Sequence, residues 1–134
     1  MDNNAKIFVS VVGVLILGTI ATAVIRSNTS SVVTPGKYDT FAQCIKDKGA
    51  LFYGAFWCPH CQAEKKLFGT SAKLLPYIEC STPDASGQTK ECIDKGITTY
   101  PTWILADGTR LATENTAGVT LETLALKTGC ELPK

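Results

Sequence analysis

At 134 residues and 45% hydrophobic content, the chain can bury the core of one domain with sequence to spare, which argues against a disordered segment. The net charge is +1, and beyond Asp2, Lys6 and Arg26 acidic and basic residues are equal in number, with no basic run to suit nucleic acid and no acidic tail. Six cysteines are a dense and even complement, which suits an oxidising compartment and two structural disulfides besides one redox pair.

Residues 7–25 carry no charge and, at about 1.5 Å rise per residue, nearly span a hydrocarbon core of about 30 Å. Lys6 and Arg26 flank the run on opposite sides, so the positive-inside rule barely decides its orientation. Cysteine usage puts the C-terminal part outside the cytoplasm. A cleaved signal peptide is the rival reading, because Ala21-Thr22-Ala23 fits a small-x-small cleavage site. Val24 and Ile25 extend the apolar run past that site and favour an uncleaved anchor, a single N-terminal transmembrane helix. A buried core helix is disfavoured, since the segment has no polar face. Residues 1–26 are thus expected to be the anchor or signal peptide. Residues 27–37, rich in Ser, Thr and Asn with Pro35-Gly36, form a flexible tether, and 38–134 form the folded domain.

Within that domain Tyr38 to Lys48 reads as a helix with Phe41, Cys44 and Ile45 on one side and Gly49 as its stop. Ala50 to Phe56 is an apolar, aromatic strand that runs directly into Cys58-Pro59-His60-Cys61, and Gln62 to Phe68 continues as a helix with Lys65 and Lys66 on its polar side. Gly69-Thr70-Ser71 breaks the pattern, Tyr77 to Cys80 is a short strand, and Ser81 to Gly87 is a turn-rich loop. Gln88 to Lys95 is a helix ended by Gly96. Thr102 to Ala106 and Thr109 to Ala112, joined by Asp107-Gly108, give a hairpin signal. Thr120 to Lys127 is the last helix, with Leu121, Leu124 and Leu126 apolar. The order predicts an α/β fold, a four-stranded mixed sheet with helices on both faces.

Two thiols at Cys-x-x-Cys spacing, where a strand hands over to a helix, suit disulfide exchange. Cys58 falls at the helix N-terminus, where unpaired N–H groups and the macrodipole favour its thiolate, which makes it the candidate nucleophile. Cys61, one turn on, can attack a mixed disulfide made by Cys58. Pro59 suits the first helical turn, where its missing N–H has no partner. His60 either adds a donor to the Cys58 thiolate or is an exposed turn residue. Cys58 and Cys61 could also be half a zinc site or unrelated core thiols. Cys80 and Cys92 are too far apart for a second knuckle, and the single histidine lies inside the first, so no metal is expected.

The text Tyr53-Gly-Ala-Phe-Trp-Cys-Pro-His-Cys-Gln, followed by Tyr77-Ile-Glu-Cys-Ser, Glu91-Cys-Ile-Asp and Tyr100-Pro-Thr-Trp, resembles the thioredoxin superfamily. The Cys-Pro-His-Cys site is similar to that of DsbA-type thiol oxidases. The four blocks look closer still to the thioredoxin-like domain fused to bacterial homologues of vitamin K epoxide reductase. The likeness spans about Tyr38 to Pro133, without the four-helix membrane domain of those fusions. It implies a thioredoxin-like fold and a cis bond at Pro101, which faces the thiols and presents backbone groups to an extended substrate; the bare alternative is an edge-strand start. Trp57, Tyr100 and Pro101 are then the substrate-binding candidates, with Trp57 either gating Cys58 or capping the core. The same likeness implies a structural Cys80–Cys92 disulfide, with a second redox pair as the sharper reading. Cys44 and Cys130, for which it implies nothing, remain to pair with each other. Thioredoxin itself buries an acidic residue in the strand before its motif. Ala50 to Phe56 carries none, which tilts the expectation toward oxidase or isomerase work.

The expected protein is a membrane-anchored, extracytoplasmic thiol–disulfide oxidoreductase with no cofactor beyond a redox-active Cys58–Cys61 disulfide. It would donate that disulfide to exported protein thiols and be reoxidised by a separate membrane protein of the DsbB or vitamin K epoxide reductase homologue type. The alternatives are an extracytoplasmic reductase or isomerase of the same fold, and a non-catalytic thioredoxin-like binding module.

Overall fold

Phe41, Ala42 and Ile45 recur at helical spacing and form the buried side of α1 (Asp39–Asp47). The computed structural model describes residues 34–112 and 118–134, together with residues 2, 3, 7 and 12. The chain divides into two units, Met1–Thr34 and Pro35–Lys134, and the second holds every element named below. Apart from residues 7 and 12, the expected anchor over residues 7–25 lies outside the described residues, as does most of the tether. Among the described residues, no helix is long and apolar enough to cross a membrane.

After α1 come β1 (Leu51–Gly54), α2 (Pro59–Leu67), a 3₁₀ segment (Gly69–Leu74), β2 (Tyr77–Glu79), α3 (Lys90–Asp94), β3 (Thr102–Ile104), β4 (Arg110–Ala112) and α4 (Leu121–Thr128). The sheet order is β2-β1-β3-β4. β1 pairs in parallel with β2, Phe52 opposite Tyr77, and antiparallel with β3, Phe52 opposite Trp103. The hairpin around Asp107-Gly108 forms as expected, with Trp103 opposite Leu111, though both strands are shorter than their apolar runs.

Phe52 and Tyr53 are neighbours on the central strand and so point to opposite faces. Phe52 lies in the larger core with Phe41, Ile45, Phe68, Trp103 and Leu124, whereas Tyr53 lies in a smaller one with Cys80, Cys92 and Ile97. Hence α1, α2 and α4 cover one face and α3 the other. This layout is consistent with a thioredoxin-like α/β fold.

Two disulfides join the outer elements. Cys44–Cys130 ties α1 to the residues after α4, and Cys80–Cys92 ties the end of β2 to α3. The latter suits an α3 of only five residues, too short to hold itself. α4 begins at Thr120, whose hydroxyl accepts from the Thr123 N–H, and ends at Gly129 in the left-handed conformation that glycine adopts without steric cost. Leu126 departs from the apolar face expected of α4 and is 81% exposed, because the helix buries Leu121 and Leu124 instead.

Candidate active site

Cys58 is the N-cap of α2, and its Sγ accepts the Cys61 backbone N–H at 3.3 Å. The sulfur therefore stands where a capping oxygen usually stands, at the positive end of the helix dipole. Pro59 opens the first turn, and both Pro59 and His60 are exposed. Across from them the Tyr100–Pro101 bond is cis, and the Tyr100 carbonyl lies 3.8 Å from Cys58 Sγ and accepts its thiol proton. The fold thus brings Cys58, Cys61, Tyr100 and Pro101 together from two distant stretches. Cys58 and Cys61 are free thiols, with Cys58 only 4% exposed.

The loop that carries Cys58 is held from several sides. The Cys58 N–H donates to the Ala55 carbonyl at 2.9 Å, and the Gln62 side-chain amide donates to the Phe56 carbonyl at 2.7 Å. Glu79 Oε1 accepts the backbone N–H groups of Phe56 and Ser81. Trp57 is 53% exposed, so it does not cap the core. Its indole N–H donates to Ser81 Oγ at 2.8 Å and its ring meets Tyr100 edge to face at 6.0 Å. Gln88 donates to the Tyr100 hydroxyl and to the Ile97 carbonyl, which fixes the Tyr100 ring from the loop closed by Cys80–Cys92. Trp57, Ser86, Gln88, Ile97 and Tyr100 line an open groove of about 510 Å³.

Cys61 is fully buried on the core side of α2. Burial, first, and then its contact with Cys58 push its pKa up to about 12. Three features around it escaped the sequence reading. Gly54 is one, because a Cβ there would stand 2.8 Å from Cys61 Sγ and 3.0 Å from the Tyr77 ring. Replacing Gly54 with alanine should therefore push the resolving sulfur out of place and overpack the core, at a cost of about 1–3 kcal/mol read from denaturant unfolding. An unchanged unfolding midpoint would show that the sulfur can give way. The second is the pair Lys65 and Tyr77: the Lys65 ammonium lies over the Tyr77 ring, and the Tyr77 hydroxyl donates to Glu79 at 2.9 Å. Lys65 is thus partly buried rather than on a purely polar side.

The third is Glu64, 2% exposed. Its Oε1 accepts the Trp103 indole N–H at 2.5 Å, while Oε2 has no hydrogen-bond partner among the described residues. Burial pushes its pKa from an ordinary 4.5 to about 7, against the Trp103 indole and the Val119 backbone, which favour the charged form. A raised carboxyl pKa means that Glu64 contributes most to stability below about pH 4.5, and that this contribution is lost as the pH rises through about 7. The strand before the motif carries no acid, as expected, yet α2 supplies one, so that absence no longer favours one direction of electron flow. The signal was present in the spacing: Glu64 is three residues after Cys61 and four before Phe68, on the stripe that α2 buries.

No family model matches the chain. Over 94 residues it is 38% identical to a protein of Arabidopsis thaliana named thiol-disulfide oxidoreductase LTO1, a match that covers 67% of this chain and 25% of that protein. The matched region is thus about a quarter of the length of that relative.

Proposed function

We propose that the chain is a membrane-anchored, extracytoplasmic thiol–disulfide oxidoreductase in which Cys58 is the nucleophile and Cys61 the resolving thiol. The observation that carries this reading is the placement of Cys58 Sγ at the N-cap of α2, opposite the Tyr100 carbonyl and cis-Pro101. A helix N-terminus stabilises the thiolate that attacks or leaves in each exchange step. An extended substrate would pair with the backbone around Tyr100 and Pro101 as an added strand and lay a side chain in the groove beside Trp57. The relative named thiol-disulfide oxidoreductase supports the reaction class.

Within that class we assign the chain the donor direction: the Cys58–Cys61 disulfide passes to exported proteins, and a separate membrane reoxidase of the DsbB or vitamin K epoxide reductase homologue type restores it. The apolar residues 7–25 would hold it at the membrane with the domain on the extracytoplasmic side.

The reduction potential of Cys58–Cys61 tests the assignment. The full chain is equilibrated against glutathione buffers and the fraction reduced is read by thiol alkylation. A potential near about −120 mV is expected of a disulfide donor. One near about −270 mV would reverse the direction and make the protein a reductase. A Cys58–Cys61 disulfide that glutathione does not open would leave only the binding-module reading.

A further inference from the structure

Glu79 closes β2, and both of its carboxylate oxygens are engaged. Oε1 accepts the Phe56 N–H at 3.1 Å and the Ser81 N–H at 2.9 Å, while Oε2 accepts the Tyr77 hydroxyl at 2.9 Å. An ionised acceptor makes such bonds stronger than a neutral one does. The Lys65 ammonium, over the Tyr77 ring, offsets the charge of Glu79 from the side of α2.

The two N–H groups on Oε1 belong to different parts of the site. Phe56 lies two residues before Cys58, and its carbonyl is held in turn by the Gln62 amide at 2.7 Å. Ser81 is buried, and its hydroxyl donates to the Thr82 carbonyl at 3.0 Å. That leaves the Ser81 oxygen to accept the Trp57 indole N–H at 2.8 Å. An indole has one donor and no acceptor, so Ser81 is the polar anchor of the Trp57 ring. The ring itself is more than half exposed and meets Tyr100 edge to face. Trp57 and Tyr100 are both walls of the open groove. One carboxylate therefore fixes the backbone just before Trp57 and the residue that anchors its indole, from stretches 23 positions apart.

We propose that Glu79 is a positioning residue for polypeptide substrates, holding Trp57 in place as a groove wall through the Phe56 and Ser81 N–H groups; this rests on the oxidoreductase reading above. In the step it assists, a substrate thiolate attacks Cys58 Sγ. The substrate–Cys58 bond forms, the Cys58–Cys61 bond breaks, and the electron pair leaves on Cys61 Sγ. Glu79 takes no part in that electron flow. Cys58 keeps its own supports, the Cys61 N–H on its sulfur and the Ala55 carbonyl on its N–H. Loss of Glu79 thus weakens the hold on a substrate that lies against Trp57, and spares a small thiol that needs only the sulfur.

The test compares two reductants of the oxidised full chain in single turnover. One is a peptide with two cysteines and an aromatic residue beside the first, and the other is dithiothreitol. Glu79→Ala should raise the half-saturating peptide concentration roughly tenfold, near the lower end of what losing a hydrogen bond to a charged group costs. The limiting rate, the dithiothreitol rate and the reduction potential should stay as in the wild type, the pattern of lost substrate binding. Glu79→Gln keeps an oxygen for both N–H groups and should restore peptide binding. In nitrogen-15 spectra of Glu79→Ala the Trp57 indole N–H should exchange faster with water, with the Trp103 indole N–H, bonded to Glu64, as the internal control. An unchanged half-saturating concentration overturns the proposal. So does a dithiothreitol rate that falls as far as peptide binding, which would make Glu79 a general brace of the loop. Glu79→Gln that behaves like Glu79→Ala overturns it as well. If Glu79→Ala does not fold, acid titration of the wild type decides: the Phe56 and Ser81 amide signals and the Trp57 indole signal must all move with the Glu79 carboxyl. An indole signal that stays still overturns the proposal. Wild-type protein that oxidises neither reductant overturns the oxidoreductase reading and this one together, whereas oxidation of both with Glu79→Ala unaltered overturns this one alone.

Discussion

A Cys58→Ser protein is expected to have no thiol–disulfide exchange activity above the uncatalysed background, whereas Cys61→Ser should accumulate mixed disulfides with its substrates. The difference follows from where the two sulfurs lie. Cys58 Sγ caps α2 and faces the Tyr100 carbonyl, so it is the sulfur an incoming thiolate or disulfide is expected to meet. Cys61 is buried behind it, with Gly54 against its sulfur, and is expected to react only with a partner already held on Cys58. Serine at 58 supplies a capping oxygen in place of the sulfur and keeps the fold, but has no sulfur to attack or be attacked. Serine at 61 leaves the first step intact and removes the second. Both outcomes are read on a non-reducing gel after acid quenching and alkylation, with the trapped species identified by mass. Exchange activity retained in Cys58→Ser would make the assignment of the nucleophile wrong.

The double variant Cys44→Ala/Cys130→Ala should lose about 4–5 kcal/mol of unfolding free energy. The bond closes a loop with a sequence separation of 86, and the loop-entropy estimate rises with that length. The separation of 12 at Cys80–Cys92 corresponds to about 3 kcal/mol on the same estimate. A domain of this size has about 5–15 kcal/mol in all, so losing the longer closure alone could consume most of it. Denaturant unfolding of the full chain measures the change. A loss below about 1 kcal/mol would show that packing of α1 and α4 on the sheet holds the ends without the bond. The shorter bridge is closer to function, because its loop carries Ser81 and Gln88, the partners of Trp57 and Tyr100.

Much of this was legible in the chain itself. The unbroken apolar run at Leu51 to Gly54, the helical spacing of Phe41 and Ile45, and the Asp107-Gly108 turn each follow from local rules that need no distant partner. The spacing of Cys58 and Cys61 at a strand-to-helix junction likewise carried its chemistry in eleven contiguous residues, Leu51 to Cys61. The likeness of the Tyr100-Pro-Thr-Trp block to a known family anticipated a cis proline. An X-Pro bond by itself is cis only about 5–6% of the time in folded proteins, so spacing alone could not have supplied it.

Glu64 and Gly54 show where local reading stops. A glutamate on a short helix reads as solvated, since an isolated charge is costly to bury. Only the approach of Trp103 from β3, 39 positions along the chain, gives that carboxyl a donor and closes the core over it. Gly54 reads as a weak point in a strand, and only the packing of α2 against β1 reveals that its missing Cβ is the room for the Cys61 sulfur. Leu126 erred the other way, an apolar residue on a helix whose buried stripe was already filled. By itself the sequence determined most of the elements and the thiol pair at the start of α2, because these depend on backbone propensity and on neighbours within one turn. The tertiary structure alone decided which groups surround the second thiol, because burial, close approach and proton affinity are properties of residues far apart in the chain that meet only when the sheet is covered.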